Sequence, residues 1–179
     1  DWYEHHIIGG NHRMSAMAAS LLLPQFQTIE HDMRTRDKNR QKLDQSLSEM
    51  GLEVTHRYKN VTRESNHLYL LRYKAENFNN ISRENFFNAM RAEGVYTYAG
   101  YKPIYREDIF QGKGNDFPWL KKINYSNISC PVTEQIADYE SIWLTQNHLL
   151  GDKSDINDII NAFEKVAMTL KNHPEKFDN

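Results

Sequence analysis

The stretch best equipped for chemistry stands near the start of the chain. Asn11-His12-Arg13 comes just ahead of Ser15, a residue suited to cap a helix. A helix start offers free N–H groups and the positive end of a dipole, and Asn and Arg add donors that can meet an anion. The same residues equally suit a polar turn with a surface arginine. A second group, Tyr96, Tyr98, Tyr101 and Tyr105, surrounds Gly100 and Pro103. Such a loop either presents phenols to a ligand or packs its rings onto a sheet. His5 and His6 adjoin Glu4, with His12 close by in sequence. Adjacent residues in an extended segment point opposite ways, so no metal site is expected there. Gly112-Lys113-Gly114 lacks the rest of a phosphate loop, including the Lys-Ser/Thr pair that opens a helix. Cys130 has no nucleophile's context and reads as a structural thiol, buried or half-exposed.

These residues depend on the elements that carry them. Residues 1–13 read as an arm, aromatic and His-rich, ending after Gly9-Gly10. Residues 14–51 read as one long, partly exposed helix. Met14, Met17, Ala18, Leu21 and Leu22 mark one face, and Phe26, Ile29, Met33, Leu43, Leu47 and Met50 continue it. Its N-terminal half is expected to pack against a partner surface, and left alone that face should drive self-association. Pro24 predicts a kink or a restart, Arg36 and Arg40 interrupt the stripe, and Gly51 ends it.

Residues 52–179 alternate strand and helix. His67 to Tyr73 is apolar on both faces and predicts a strand buried on both. Ser82 caps a helix carrying Phe86, Phe87 and Met90 and ended by Gly94; Val95 to Tyr98 predicts the next strand. Residues 99–130 predict a long irregular loop. A helix near Thr133 to Ile142 and a short strand at Trp143 follow. A last helix after Asp152 carries the stripe Ile156, Ile159, Ile160, Phe163, Val166, Ala167 and Leu170. The tail beyond Lys171 is expected to fray. The fold class is α+β: a small, largely antiparallel sheet with helices packed on one side and a long N-terminal helix.

Composition narrows the function classes. The 179 residues suit about one domain with an arm. Lys and Arg number 22 against 24 Asp and Glu, so no basic excess is available for a phosphate backbone and nucleic acid is not an expected partner. Met17 to Leu23 is too short an apolar run to cross a bilayer. The single cysteine excludes an internal disulfide and suits a reducing cytoplasm. Asp1 stands where an initiator Met would, which favours a longer parent chain.

The motifs in order resemble the DegT/DnrJ/StrS family of pyridoxal-phosphate-dependent, fold-type I sugar aminotransferases. Gly10-Asn11-His12-Arg13-Met14-Ser15 is similar to that family's Gly-x-Asn-Tyr-Arg-Met-(Ser/Thr) stretch. The resemblance continues through Ala92-Glu93-Gly94-Val95 and Gly100-Tyr101-Lys102-Pro103-Ile104-Tyr105-Arg106. It closes with Cys130-Pro131-Val132, Trp143-Leu144-x-Gln146 and Leu149-Leu150-Gly151-Asp152. His12 replaces a common aromatic of the family, and Ala16 a common Glu.

The resemblance covers the C-terminal part of the family, so it implies a fold-type I aminotransferase C-terminal domain. The family moves an amino group from glutamate or glutamine to a keto-sugar or cyclitol by a ping-pong route. It also implies a homodimer in which Asn11 reaches the neighbour's cofactor phosphate and Arg13 lies close to the substrate anion. Tyr101 and Tyr105 resemble residues lining the substrate mouth. The Schiff-base lysine would lie upstream, since Lys38, Lys42 and Lys102 have the wrong surroundings for an imine former. The chain alone is therefore expected to hold no catalytic residue and to be inactive, with weak or absent pyridoxal phosphate binding. The alternative is a freestanding, non-catalytic binding or dimerisation module with the same fold.

Overall fold

A computed structural model describes residues 12–113 and 122–177. Helix α1, Ala16–Glu49, begins where expected: the Ser15 hydroxyl accepts the Ala18 N–H at 3.1 Å. Its 34 residues give a rod of about 51 Å. No restart occurs at Pro24. Pro24 sits inside the unbroken helix, because a proline forfeits one ladder bond while good helix formers on both sides keep the rest.

The N-terminal half of α1 does not pack within the described residues. Met17 is 77% exposed and Phe26 75% exposed, with Leu21 and Leu23 close behind. Burial starts at Arg36 and recurs at Asn39, Arg40, Leu43 and Leu47. The two arginines therefore do not interrupt the buried stripe; they lie on it, solvated by protein. Arg36 Nη1 donates to Gln146 Oε1 at 2.7 Å, and Arg40 Nη1 donates to Asn66 Oδ1 at 2.9 Å. Gly51, at φ +98°, ends the helix as its sequence position suggested.

Three strands form an antiparallel sheet in the order β1 (Glu53–Val54), β2 (Leu68–Arg72), β3 (Ser141–Thr145). The β2–β3 register runs from Leu68 opposite Thr145 to Arg72 opposite Ser141. Tyr69, Leu71, Ile142 and Leu144 are buried against the helices, together with Leu43, Leu47, Phe86, Met90, Phe163 and Leu170. Rings organise the centre: Tyr73 stacks on Phe78 at 4.9 Å and Phe86 leans on Phe163 at 5.9 Å. The strand expected to be buried on both faces is buried on one, since Leu70 stays 37% exposed. The helices cover only the side that Tyr69 and Leu71 face.

Helix α2, Arg83–Ala92, is capped by Ser82, whose hydroxyl accepts the Asn85 N–H. Val95 to Tyr98 makes no strand. Tyr98 exchanges both backbone bonds with Trp143 at 2.8 and 3.0 Å, and then Gly100, at φ +88°, turns the chain away. The described parts of 99–130 are short turns, as expected of an irregular loop. Helix α3, Pro131–Gln135, runs on as a π-helical turn, Ile136–Glu140, and ends before the expected Ile142 because β3 starts at Ser141.

Helix α4, Lys153–Asn172, opens on a reciprocal capping box between Asp152 and Asp155 and buries Ile156, Ile159, Ala162, Phe163, Val166, Ala167 and Leu170. Beyond it the expected fraying is limited. Pro174–Phe177 forms a turn whose Phe177 carbonyl accepts from Asn85 Nδ2 at 3.1 Å. Among the described residues no helix is long and apolar enough to cross a membrane.

Candidate functional site

Of the four residues singled out in the sequence, Asn11, with His5 and His6, lies outside the described residues. Arg13 is exposed just ahead of the Ser15 cap. No hydrogen bond, ion pair or ring contact joins Arg13 to the tyrosine loop. Tyr101 and Tyr105 do share one surface. Tyr101 is 78% exposed and stands edge-on to Trp143, centroids 4.5 Å apart. Gly100 makes this approach possible, because its α-carbon lies against the indole of β3.

Tyr105 is fastened to the protein at both ends. Its hydroxyl donates to Glu134 on α3, and its carbonyl accepts from Gln111 Nε2 at 2.5 Å. Gln111 Oε1 in turn accepts from Ser126 Oγ at 2.9 Å. Glu134 also accepts the Cys130 N–H at 2.9 Å. The next loop residue, Arg106, donates from Nη1 to both carboxylate oxygens of Asp138, at 2.9 and 3.0 Å, and its Nη2 lies 3.5 Å from Glu134.

Electrostatics follow from these contacts. Partial burial, then the bond to Glu134, raise the Tyr105 pKa. The Tyr105 hydroxyl, then the Cys130 N–H, hold the Glu134 carboxyl below its ordinary value against a smaller opposing effect of burial. The bond to Asp138 raises the pKa of Arg106 further. Tyr105, Arg106, Gln111, Tyr125, Ser126 and Glu134 line a cleft of about 320 Å³. Beside it Tyr101, Thr133, Ile136, Ser141 and Trp143 line a second hollow of about 260 Å³.

The sequence reading found the tyrosines and missed what holds them. Glu134 and Asp138 are one helical turn apart, facing two consecutive loop residues, and that spacing was the available signal. Arg83 was missed as well. Its guanidinium donates to the carbonyls of Ala137, Asp138 and Ser141, closing the end of the π turn, and burial lowers its pKa. Tyr96 and Tyr98 serve other ends: Arg91 lies over the Tyr96 ring, and Tyr98 makes the bridge to Trp143.

Cys130 is a free thiol and exposed, not buried or half-exposed, because it stands where the loop meets the first turn of α3. Among the described residues no group of three or more His, Cys, Asp or Glu is arranged to hold a metal ion. A roomier hollow of about 530 Å³ lies between α1 and the start of α4, lined by Lys38, Asn39, Lys42 and Lys153, where no motif points.

A family model described as the DegT/DnrJ/EryC1/StrS aminotransferase family matches residues 1–163. The chain is 28% identical over 178 residues to a putative L-glutamine:3-amino-2,3-dideoxy-scyllo-inosose aminotransferase of Micromonospora echinospora, covering 95% of this chain and 43% of that protein. It is also 28% identical over 172 residues to the L-glutamine:2-deoxy-scyllo-inosose aminotransferase of the same organism, covering 94% of this chain and 40% of that protein. The chain thus spans about two-fifths of the length of these relatives.

Solved structures share the fold. The crystal structure of 3-amino-5-hydroxybenzoic acid synthase superposes with a TM-score of 0.70 at 19% identity, over 94% of this chain and 42% of that one. An aminotransferase from Psychrobacter cryohalolentis gives 0.73 at 18% identity, over 95% of this chain and 43% of that one.

Proposed function

The chain belongs to the DegT/DnrJ/EryC1/StrS aminotransferase family, and on that basis we propose that it is the C-terminal portion of a pyridoxal-phosphate-dependent enzyme that moves an amino group from glutamine or glutamate to a keto-cyclitol or keto-sugar. The observation that carries this reading is the family match over residues 1–163. The inosose aminotransferases that the chain resembles, named for L-glutamine and scyllo-inososes, favour glutamine as donor and a cyclic ketone as acceptor.

None of the three lysines weighed in the sequence has the surroundings of an imine former. Lys102 is exposed and paired with Glu107 at 3.0 Å, Lys42 is tied to Asn157, and Lys38 is exposed on α1. No chemical step through the cofactor is therefore assigned to this chain in this reading, which takes the imine-forming lysine to belong to the cofactor-bearing domain. Its part is to bind and orient. In this reading residues 1–13 are an interface and active-site arm, 14–51 a helix linking to the cofactor-bearing domain, and 52–179 the small domain. Asn11 meets the cofactor phosphate of a homodimer partner, Arg13 meets the substrate anion, and the Tyr101–Tyr105 loop lines the mouth. A cytoplasmic setting suits the free Cys130 thiol.

The test is an amino-transfer assay of the full-length parent protein, cofactor-bearing domain included, supplied with pyridoxal phosphate and L-glutamine, against 2-deoxy-scyllo-inosose and keto-sugars. Amino product from a cyclic ketone supports the reading. Absence of product from every keto acceptor overturns it.

A further inference from the structure

We propose that Glu134 and Asp138 are positioning residues for the keto acceptor, holding the loop that carries Tyr101 and Tyr105 in its binding shape. The inference rests on the function proposed above. Two acids one turn apart grip two consecutive loop residues: Glu134 takes the Tyr105 hydroxyl, and both oxygens of Asp138 take Arg106 Nη1, at 2.9 and 3.0 Å. The Cys130 N–H, at 2.9 Å, orients the Glu134 carboxylate. Gln111 holds the Tyr105 carbonyl from the other side. At the near end of the loop, Gly100 is pressed on Trp143 and Tyr101 leans on the same indole. Residues 101–106 are thus pinned at both ends, with Ile104 exposed between the pins and most of Tyr101 open to water at the near one.

A purely stabilising role explains this poorly. Tyr105, Arg106, Glu134 and Asp138 lie outside the apolar core and keep part of their surface in water. Ion pairs in that setting contribute little to stability. What they do is reduce the number of shapes the loop samples. A loop already in its bound shape loses less entropy when a ligand arrives, which acts on affinity and leaves the chemical step alone.

The experiment uses the full-length parent protein, cofactor-bearing domain included, with pyridoxal phosphate, L-glutamine and 2-deoxy-scyllo-inosose. Glu134→Gln, Asp138→Asn and Tyr105→Phe are compared with the double variant E134Q/Y105F. Each single change raises the acceptor KM about tenfold, the size of one charge-assisted hydrogen bond, while the glutamine KM stays put. The double variant shows no more than the larger single effect, since the two residues form one contact. Amide exchange over residues 104–111 speeds up in Glu134→Gln, with α4 unchanged.

Parallel shifts in both KM values, a fall in kcat alone, or additive effects overturn the positioning role. Exchange that speeds up without any change in acceptor KM also overturns it, leaving a grip that does not serve the acceptor. No turnover by the unaltered protein overturns the functional reading and the acceptor role together, while the exchange rates still show whether Glu134 grips the loop.

Discussion

The α-carbon of Gly100 lies so close to the indole of Trp143 that a Cβ added there would stand 2.9 Å from two ring atoms. The glycine is also at φ +88°, a region L side chains rarely adopt. Both constraints sit at the point where the chain leaves its bridge to β3 and enters the tyrosine loop. Gly100→Ala is therefore expected to destabilise the fold by about 1–3 kcal/mol. Urea unfolding should show a lower midpoint at unchanged slope; an unchanged midpoint would mean that the indole yields freely.

Glu140 gives a pH dependence with a definite sign. Its side chain is 5% exposed and is held by Lys74 at 2.7 Å and Arg72 at 2.6 Å. Burial by itself would raise its pKa, but the bonds from Lys74 and Arg72 outweigh it and hold the carboxyl below the ordinary 4.5. A depressed folded-state pKa means the stabilisation is present above the unfolded value and lost as pH falls through the folded one. Stability should therefore drop on acidification below about pH 4.5, and Glu140→Gln should flatten that slope while costing about 2 kcal/mol at pH 7. Parallel curves for the two proteins from pH 3 to 7 would assign the acid sensitivity elsewhere.

Asn39 ties α1 to the approach of α4. Its amide donates at 2.9 Å to the carbonyls of both Leu149 and Gly151. Asn39→Ala leaves both acceptors unanswered, so a loss of about 1–3 kcal/mol is expected. Hydrogen exchange should locate the damage at residues 149–155; uniform acceleration would instead indicate a global change.

How much of this was legible in the sequence depended on how far apart the cooperating residues stand. The α4 stripe and its Asp152–Asp155 box are local patterns, and a single helix face is enough to reveal them. Ser15, Ser82, Gly51 and Gly94 likewise mark helix ends from their immediate surroundings. Arg40 with Asn66, and Tyr105 with Glu134, lie 26 and 29 residues apart, and no periodicity announces such pairs. Arg36 and Arg40 were misread for the same reason: charge suggested solvent, while their partners came from distant turns. Val95 to Tyr98 had strand-like residues, but Gly100 and the crowding by Trp143 limited it to one bridge. For the candidate site, the tyrosines were visible and their fastening was not.

The exposed half of α1 predicts behaviour of the chain in isolation. Met17, Leu21, Leu23 and Phe26 present a band of apolar surface to water. Sedimentation should show concentration-dependent self-association, and Met17→Glu with Phe26→Glu should abolish it. A monomer at all concentrations would show that this band does not drive association.

Arg36 leads to the least intuitive outcome. Its side chain is buried, its Nε finds no acceptor, and no carboxylate pairs with it among the described residues. Its other contacts are the Gln146 amide oxygen and the Met33 sulfur. A buried charge without a counter-charge carries a desolvation cost that one neutral acceptor offsets only in part. Arg36→Met keeps the length and apolar stem and removes the charge, so stability should hold or rise by up to about 1–2 kcal/mol, even though a core arginine has been deleted. The check is a guanidinium unfolding curve of both proteins at neutral pH. A loss of about 3 kcal/mol or more, the cost of breaking a buried ion pair, would mean that an anion meets Arg36.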